Sequence, residues 1–126
     1  MLKRFNIQWQ KTTPYTHHQN GIIERVNHTI VSIICAILID GRFFKKVWVE
    51  LAYTTIYLRN RYLTRALRNK TPYKAFKSTK SDVSHLRIIS FKVFAKNVAP
   101  SNNKLTVQSH ICRLLGYDER SNQYRV

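Results

Sequence analysis

Between Gly21 and Asp40 the apolar residues Ile22, Ile23, Val26, Ile30, Ile33, Ile34 and Ile37 recur at helical spacing. At about 100° per residue they fall on one face, which predicts a single amphipathic helix. The constraint lies in the residue types. β-branched side chains lose χ1 freedom in a helix, so this segment is a poor helix in isolation and needs a packed surface to hold it. Whatever the chain folds into must set a sheet or a second helix against that face. Glu24, His28 and Cys35 project from the opposite side, and Gly41 follows Asp40 as a stop signal.

The flanking segments supply candidate supports. Phe5-Asn6-Ile7-Gln8-Trp9 alternates apolar and polar and predicts a short strand, broken by Thr12, Thr13 and Pro14. A second helix is expected from Phe43 to about Tyr62, with Phe44, Val47, Trp48, Leu51, Thr55, Leu58 and Tyr62 on one stripe and Lys45, Lys46 and Arg59 off it. A basic linker, Arg65 to Lys70, leads to Thr71, which can cap a short helix with Pro72 in its first turn. Near residue 80 the period changes to two. Ile89, Phe91, Val93 and Ala95 alternate with polar or outward positions as a strand, Pro100 to Asn103 reads as a turn, and Ile111 to Tyr117 as another strand. A loop at Asp118 to Asn122 then leads to Gln123-Tyr124-Arg125-Val126, so the tail is expected to be a small β unit.

Charge limits the class of partner. Twenty-two Lys and Arg stand against six Asp and Glu, a formal net charge of +16 in 126 residues. Such an excess points to a polyanion, because each Lys or Arg placed on a phosphate releases counterions. The basic residues run from Lys3 to Arg125, so composition locates no binding stripe. Cys35 and Cys112 form no CxxC pair and are read as reduced, partly buried thiols of an intracellular protein. The run Ile30 to Ile39 reads as too short and interrupted for a membrane span, so no membrane partner is expected. Lys3 and Arg4 are followed by no apolar stretch of a secretory signal. Zinc needs four nitrogen or sulfur ligands at close spacing, which His17, His18, His28, Cys35, His85, His110 and Cys112 do not form. His110 and Cys112 share one side of a strand, where packing explains them.

The run Pro14-Tyr15-Thr16, Gln19-Asn20-Gly21 and Glu24-Arg25 resembles the segment around the last catalytic carboxylate of copia-type retrotransposon integrases. Tyr57-Leu58-Arg59-Asn60-Arg61, Lys70-Thr71-Pro72-Tyr73, Ser84-His85-Leu86-Arg87 and Leu115-Gly116-Tyr117 resemble later landmarks of the same enzymes, in the same order. The chain departs from that pattern at His17 and His18 in place of Pro-Gln, at His28 in place of Arg, at Leu63 in place of Pro, and at Ser90 in place of Gly.

The resemblance implies a mixed α/β chain: an incomplete RNase H-like integrase core, its last strand and following helices, over residues 1–78, then a small β-rich, SH3-like tail over 79–126. It implies Glu24 as the third catalytic acid and a Mg ligand in a complete enzyme. Gln19, Asn20, Arg25 and His28 would line the approach to DNA. In the parent family two aspartates and one glutamate hold two Mg²⁺ or Mn²⁺ ions, which clamp the attacking and leaving oxygens of a phosphodiester. Both aspartates would precede Glu24, yet residues 1–23 contain no Asp or Glu. A single carboxylate cannot hold two dications, so no bound metal and no strand transfer are expected from this chain alone. The expected retained function is nonspecific, electrostatic binding of DNA or RNA, in the nucleus if it acts on DNA. Self-association or association with other integrase chains is also expected, because the isoleucine face would lack most of its sheet. The alternative is a basic, non-catalytic nucleic-acid-binding or scaffold module derived from a transposon.

Overall fold

The computed structural model describes Thr13 and residues 20–97, 107–118 and 123–126. The strand expected at residues 5–9 and the loop residue Gln19 lie outside the described residues.

The first helix, α1, runs Gly21–Asp40 and packs on α2, Trp48–Arg61. Ile34 is buried and Val26, Ile30 and Ile37 are half-buried, but Ile22, Ile23 and Ile33 are exposed, Ile22 at 78%. A helix packed on one other cylinder covers only a stripe, and this apolar face is wider than a stripe. Ile33 instead lines an open groove of about 550 Å³ beside Leu58, Tyr62 and Leu86. By length and composition α1 could cross a membrane. The expectation rested on Ile30 to Ile39 alone, whereas the helix that carries that run spans twenty residues, Gly21–Asp40. Length and composition do not by themselves separate a spanning helix from a core helix.

α1 ends at Asp40, but not as a left-handed glycine stop. Gly41 stays right-handed at φ −75°, and the positive φ falls on Arg42, at 48°. Glycine is required here by space, since a Cβ at Gly41 would overlap the Phe43 ring. Phe44 is extended and a 3-10 turn, Lys45–Val47, follows, so α2 begins at Trp48 and not at Phe43. Phe44, Trp48 and Tyr62, all expected on the packed stripe, are exposed. Leu51, Thr54, Thr55 and Tyr57 are buried. The packed surface differs from one stripe because α2 is covered from several directions, by α1, by the helix Pro72–Lys77 and by the strand Gly116–Tyr117. Tyr62, at φ −90° and ψ 147°, closes α2 in the extended conformation that a following proline would demand, with Leu63 in that place.

The linker is a folded loop. A 3-10 turn, Arg65–Leu67, is followed by Arg68 and Asn69 at φ 51° and 61°, and Thr64 bridges to Lys70. Thr71 then caps α3, Pro72–Lys77, its hydroxyl accepting the Lys74 N–H at 3.1 Å, with Pro72 in the first turn as expected.

The tail forms two antiparallel ribbons, not one sheet. β1, Lys92–Lys96, pairs with β2, Ser109–Arg113, in the register Val93↔Cys112 and Ala95↔His110. β3, Gly116–Tyr117, pairs with β4, Tyr124–Arg125. The strand expected from Ile89 starts late because Ser90 takes φ 75°. The strand expected from Ile111 to Tyr117 breaks after Arg113, where Leu114 turns inward and is buried. Two-stranded ribbons are marginal alone, so the tail depends on its seat against α2.

Candidate nucleic-acid interface

Glu24 lies in the first turn of α1 and is exposed, as are Arg25 and His28. Asn20 is the N-cap residue of α1, and its side chain makes no capping bond. Among the described residues no three of His, Cys, Asp and Glu come together as a metal site. Arg25 has a neighbour the sequence did not reveal. With Ile22, Val26, Thr29 and Arg59 it lines an open groove of about 170 Å³, bringing two guanidinium-bearing residues from α1 and α2 to one depression. The Thr29 hydroxyl donates to the Arg25 carbonyl at 2.9 Å and braces that turn. Arg59 falls off the stripe expected from the sequence, and only the crossing of the two helices brings it to the depression that Arg25 lines.

Of the two thiols, Cys35 is exposed and Cys112 half-buried. Cys35 is thus less covered than expected, because its side of α1 faces away from α2.

Three of the sequence landmarks meet at one place, and their chemistry is structural. Tyr57 of α2 stacks on Tyr117 of β3, centroids 5.3 Å apart. His85 packs edge-on against both, with its Nε2 2.7 Å from the Tyr57 hydroxyl. The Tyr117 hydroxyl donates to the Arg87 carbonyl and accepts the Arg87 N–H at 3.0 Å. Tyr124 donates to the His85 carbonyl at 2.8 Å. The Thr54 hydroxyl donates to the Leu115 carbonyl at 2.8 Å, and a Cβ at Gly116 would run into that same hydroxyl. Gly116 is thus fixed by the close approach of β3 to α2.

Charged groups brace the cluster's edges. Arg61 lies over the Tyr57 ring at 3.4 Å and within 4.9 Å of the Tyr73 ring, which ties α3 to α2. Arg125 pairs with Glu50 at 2.6 Å, and this hydrogen bond raises the guanidinium pKa further above its ordinary value. Both partners are about two-fifths exposed, so the pair contributes at most ~1 kcal/mol. Asp82 accepts the backbone N–H and the hydroxyl of Ser84, each at 2.9 Å. Those bonds hold its carboxyl below the ordinary aspartate value.

The arrangement defines a basic helical unit with cationic grooves, one carboxylate at the head of its longest helix, and a small tail locked on by aromatic hydrogen bonds. No protein-family model and no solved structure matches the chain. It is 31% identical, over 95% of its length, to the retrovirus-related Pol polyprotein from transposon TNT 1-94 of Nicotiana tabacum. It is 26% identical, over 88% of its length, to the retrovirus-related Pol polyprotein from transposon RE1 of Arabidopsis thaliana. Its homologues are thus retrovirus-related Pol polyproteins of plant transposons. The chain spans 9% and 8% of those two relatives.

Proposed function

We propose that this chain is part of the integrase region of a copia-type retrotransposon Pol polyprotein, and that residues 1–126 by themselves grip nucleic acid without cutting or joining it. Residues 1–78 would be the end of an RNase H-like core and 79–126 an SH3-like tail. The ordered landmarks and the similarity to transposon Pol polyproteins along 95% of the chain support the origin. One observation carries the activity: a net charge of +16 accompanies a single acid, Glu24, in the first 39 residues.

Glu24 would be the third carboxylate of a Mg²⁺- or Mn²⁺-dependent centre in a complete enzyme. Octahedral Mg²⁺ takes several oxygen ligands, and a metal pair needs bridging carboxylates as well. Glu24 alone supplies neither, so the chain by itself holds no catalytic metal. Arg25 and Arg59, with Asn20, Gln19 and His28 nearby in sequence, serve phosphate attraction, which carries no base specificity. α1 is read as a helix that packs on protein, since its Ile34 side already lies against α2 and its first two turns carry Glu24 and Arg25. The bare isoleucines would then meet another chain.

A salt series tests the binding. Affinity for a labelled duplex should fall linearly with salt on a double-logarithmic plot, at ~0.9 per phosphate contact. The same preparation should leave a supercoiled plasmid intact in manganese buffer. Nicking that disappears in Glu24→Gln would overturn the non-catalytic reading, and affinity insensitive to salt would overturn the electrostatic one.

A further inference from the structure

The resemblance places DNA near Glu24, but a longer basic stretch free of acids lies elsewhere. Residues 51–81 carry eight Lys and Arg and no Asp or Glu. Within that stretch, the loop after α2 and the helix α3 enclose an open groove of about 570 Å³, lined by seven residues, among them Leu67, Arg68, Lys70, Lys74, Ala75 and Ser78. The groove exceeds by far the ~10–15 Å³ that one water requires, so a single small anion would leave it mostly wet. Three of its six named side chains are cationic, and all three residues are exposed.

The loop is built to display those side chains. Thr64 closes it at both ends, its N–H donating to Lys70 and its carbonyl accepting the N–H groups of Leu67 and Asn69, each at 3.2 Å. Lys70 N–H returns to the Leu67 carbonyl at 3.1 Å. The backbone polar groups of the turn are thus largely occupied, and Arg68 and Asn69 sit in the left-handed region. Thr71 fixes the start of α3, which sets Lys74 on the other wall. The neighbouring Arg61 and Lys77 are held over the Tyr73 ring, at 4.9 and 5.3 Å, so they brace the wall. The hydrogen-bonded turn fixes the backbone that carries these cations, so less of the chain has to be ordered on binding.

Resting on the nucleic-acid reading above, we infer that this groove, with Arg68, Lys70 and Lys74 as its phosphate contacts, is the principal seat of a sugar-phosphate backbone on this chain. A backbone offers several phosphates in series to one concave wall, and its sugars fill the apolar floor of Leu67 and Ala75. Neither an isolated ion nor the Arg25–Arg59 depression, with about 170 Å³ and two guanidinium groups, matches that chemistry as well.

The test compares two triple variants of the full chain, each removing three charges. One is Arg68→Gln, Lys70→Gln, Lys74→Gln; the other removes exposed Lys45, Lys46 and Lys92 in the same way. Duplex DNA, single-stranded DNA and duplex RNA serve as probes, with polyglutamate as competitor. For duplex DNA the groove triple should flatten the salt slope by about 2.7, from three contacts at ~0.9 each, while the control changes it by less than one contact's worth. Single variants Lys70→Gln and Lys74→Gln, each flattening the slope by ~0.9, give the same reading if the triple loses its helical signal. Equal effects of the two triples, or displacement by polyglutamate as readily as by DNA, would overturn the groove while leaving nucleic-acid binding intact. Failure of the unaltered chain to bind any of the three probes would sink both readings.

Discussion

The junction between α2 and the tail and the outer face of α1 solve the problem of cover in opposite ways. The junction is made of residues of moderate hydropathy, Thr54, Tyr57, His85 and Tyr117. They are closely packed, joined by hydrogen bonds to distant backbone, and so tight that Gly116 has no room for a Cβ. The helix α1 is the most apolar long element among the described residues, yet its Ile22, Ile23, Val31 and Ile39, on more than one side, are all exposed. Apolar content states how much surface could be buried; it does not say that a partner surface is present. Long-range order here comes from aromatic groups with polar ends, whose hydrogen bonds fix position as well as area.

The largest test of that contrast is Gly116→Ala. The added methyl group must push β3 off α2 or break the bond from Thr54 to Leu115. Overpacking of this kind costs about 1–3 kcal/mol, visible as a lower midpoint in urea. A neutral result would mean that the tail is not seated on α2 as described. Ser90→Gly should act in the other direction. Ser90 holds φ 75°, and a non-glycine residue there costs ~1–2 kcal/mol. Glycine should recover roughly 1 kcal/mol, reduced by the lost Arg113–Ser90 bond of 3.0 Å. An unchanged or lower midpoint would show that the turn is not strained. Smallest for stability should be the pair Ile22→Ser, Ile23→Ser, within about 0.5 kcal/mol because both side chains are already exposed. The same variant should reduce self-association, read as a drop in weight-average mass in sedimentation. A large loss of stability would mean that these isoleucines are covered within the monomer.

Much of the local structure was legible. The bounds of α1, the cap at Thr71 with Pro72 behind it, and the change of period in the tail follow from spacing and side-chain chemistry alone. Errors collected where two elements meet. Thr54 and Tyr57 look like surface residues on a single-stripe view of α2, and the second buried side exists only because the tail docks there. Phe44, Trp48 and Tyr62 fit a helical period yet stay exposed, since period cannot say which turns are covered. Ser90 stands in place of a usual glycine of the resembled pattern, and its positive φ gives that departure a physical meaning. For the candidate site, Glu24 and Arg25 were legible from the motif, whereas Arg59 beside Arg25 and the walls around Arg68, Lys70 and Lys74 were not.

By itself the sequence determined the charge, the single carboxylate ahead of residue 40, the long helix and the chemistry of its caps, because these depend on residue identity and on neighbours within one or two turns. Tertiary structure alone decided that Tyr57, His85 and Tyr117 form one cluster and that Arg25 of α1 and Arg59 of α2 line one depression. Such contacts join residues tens of positions apart, and their geometry depends on how helices cross and loops close, which no local spacing encodes.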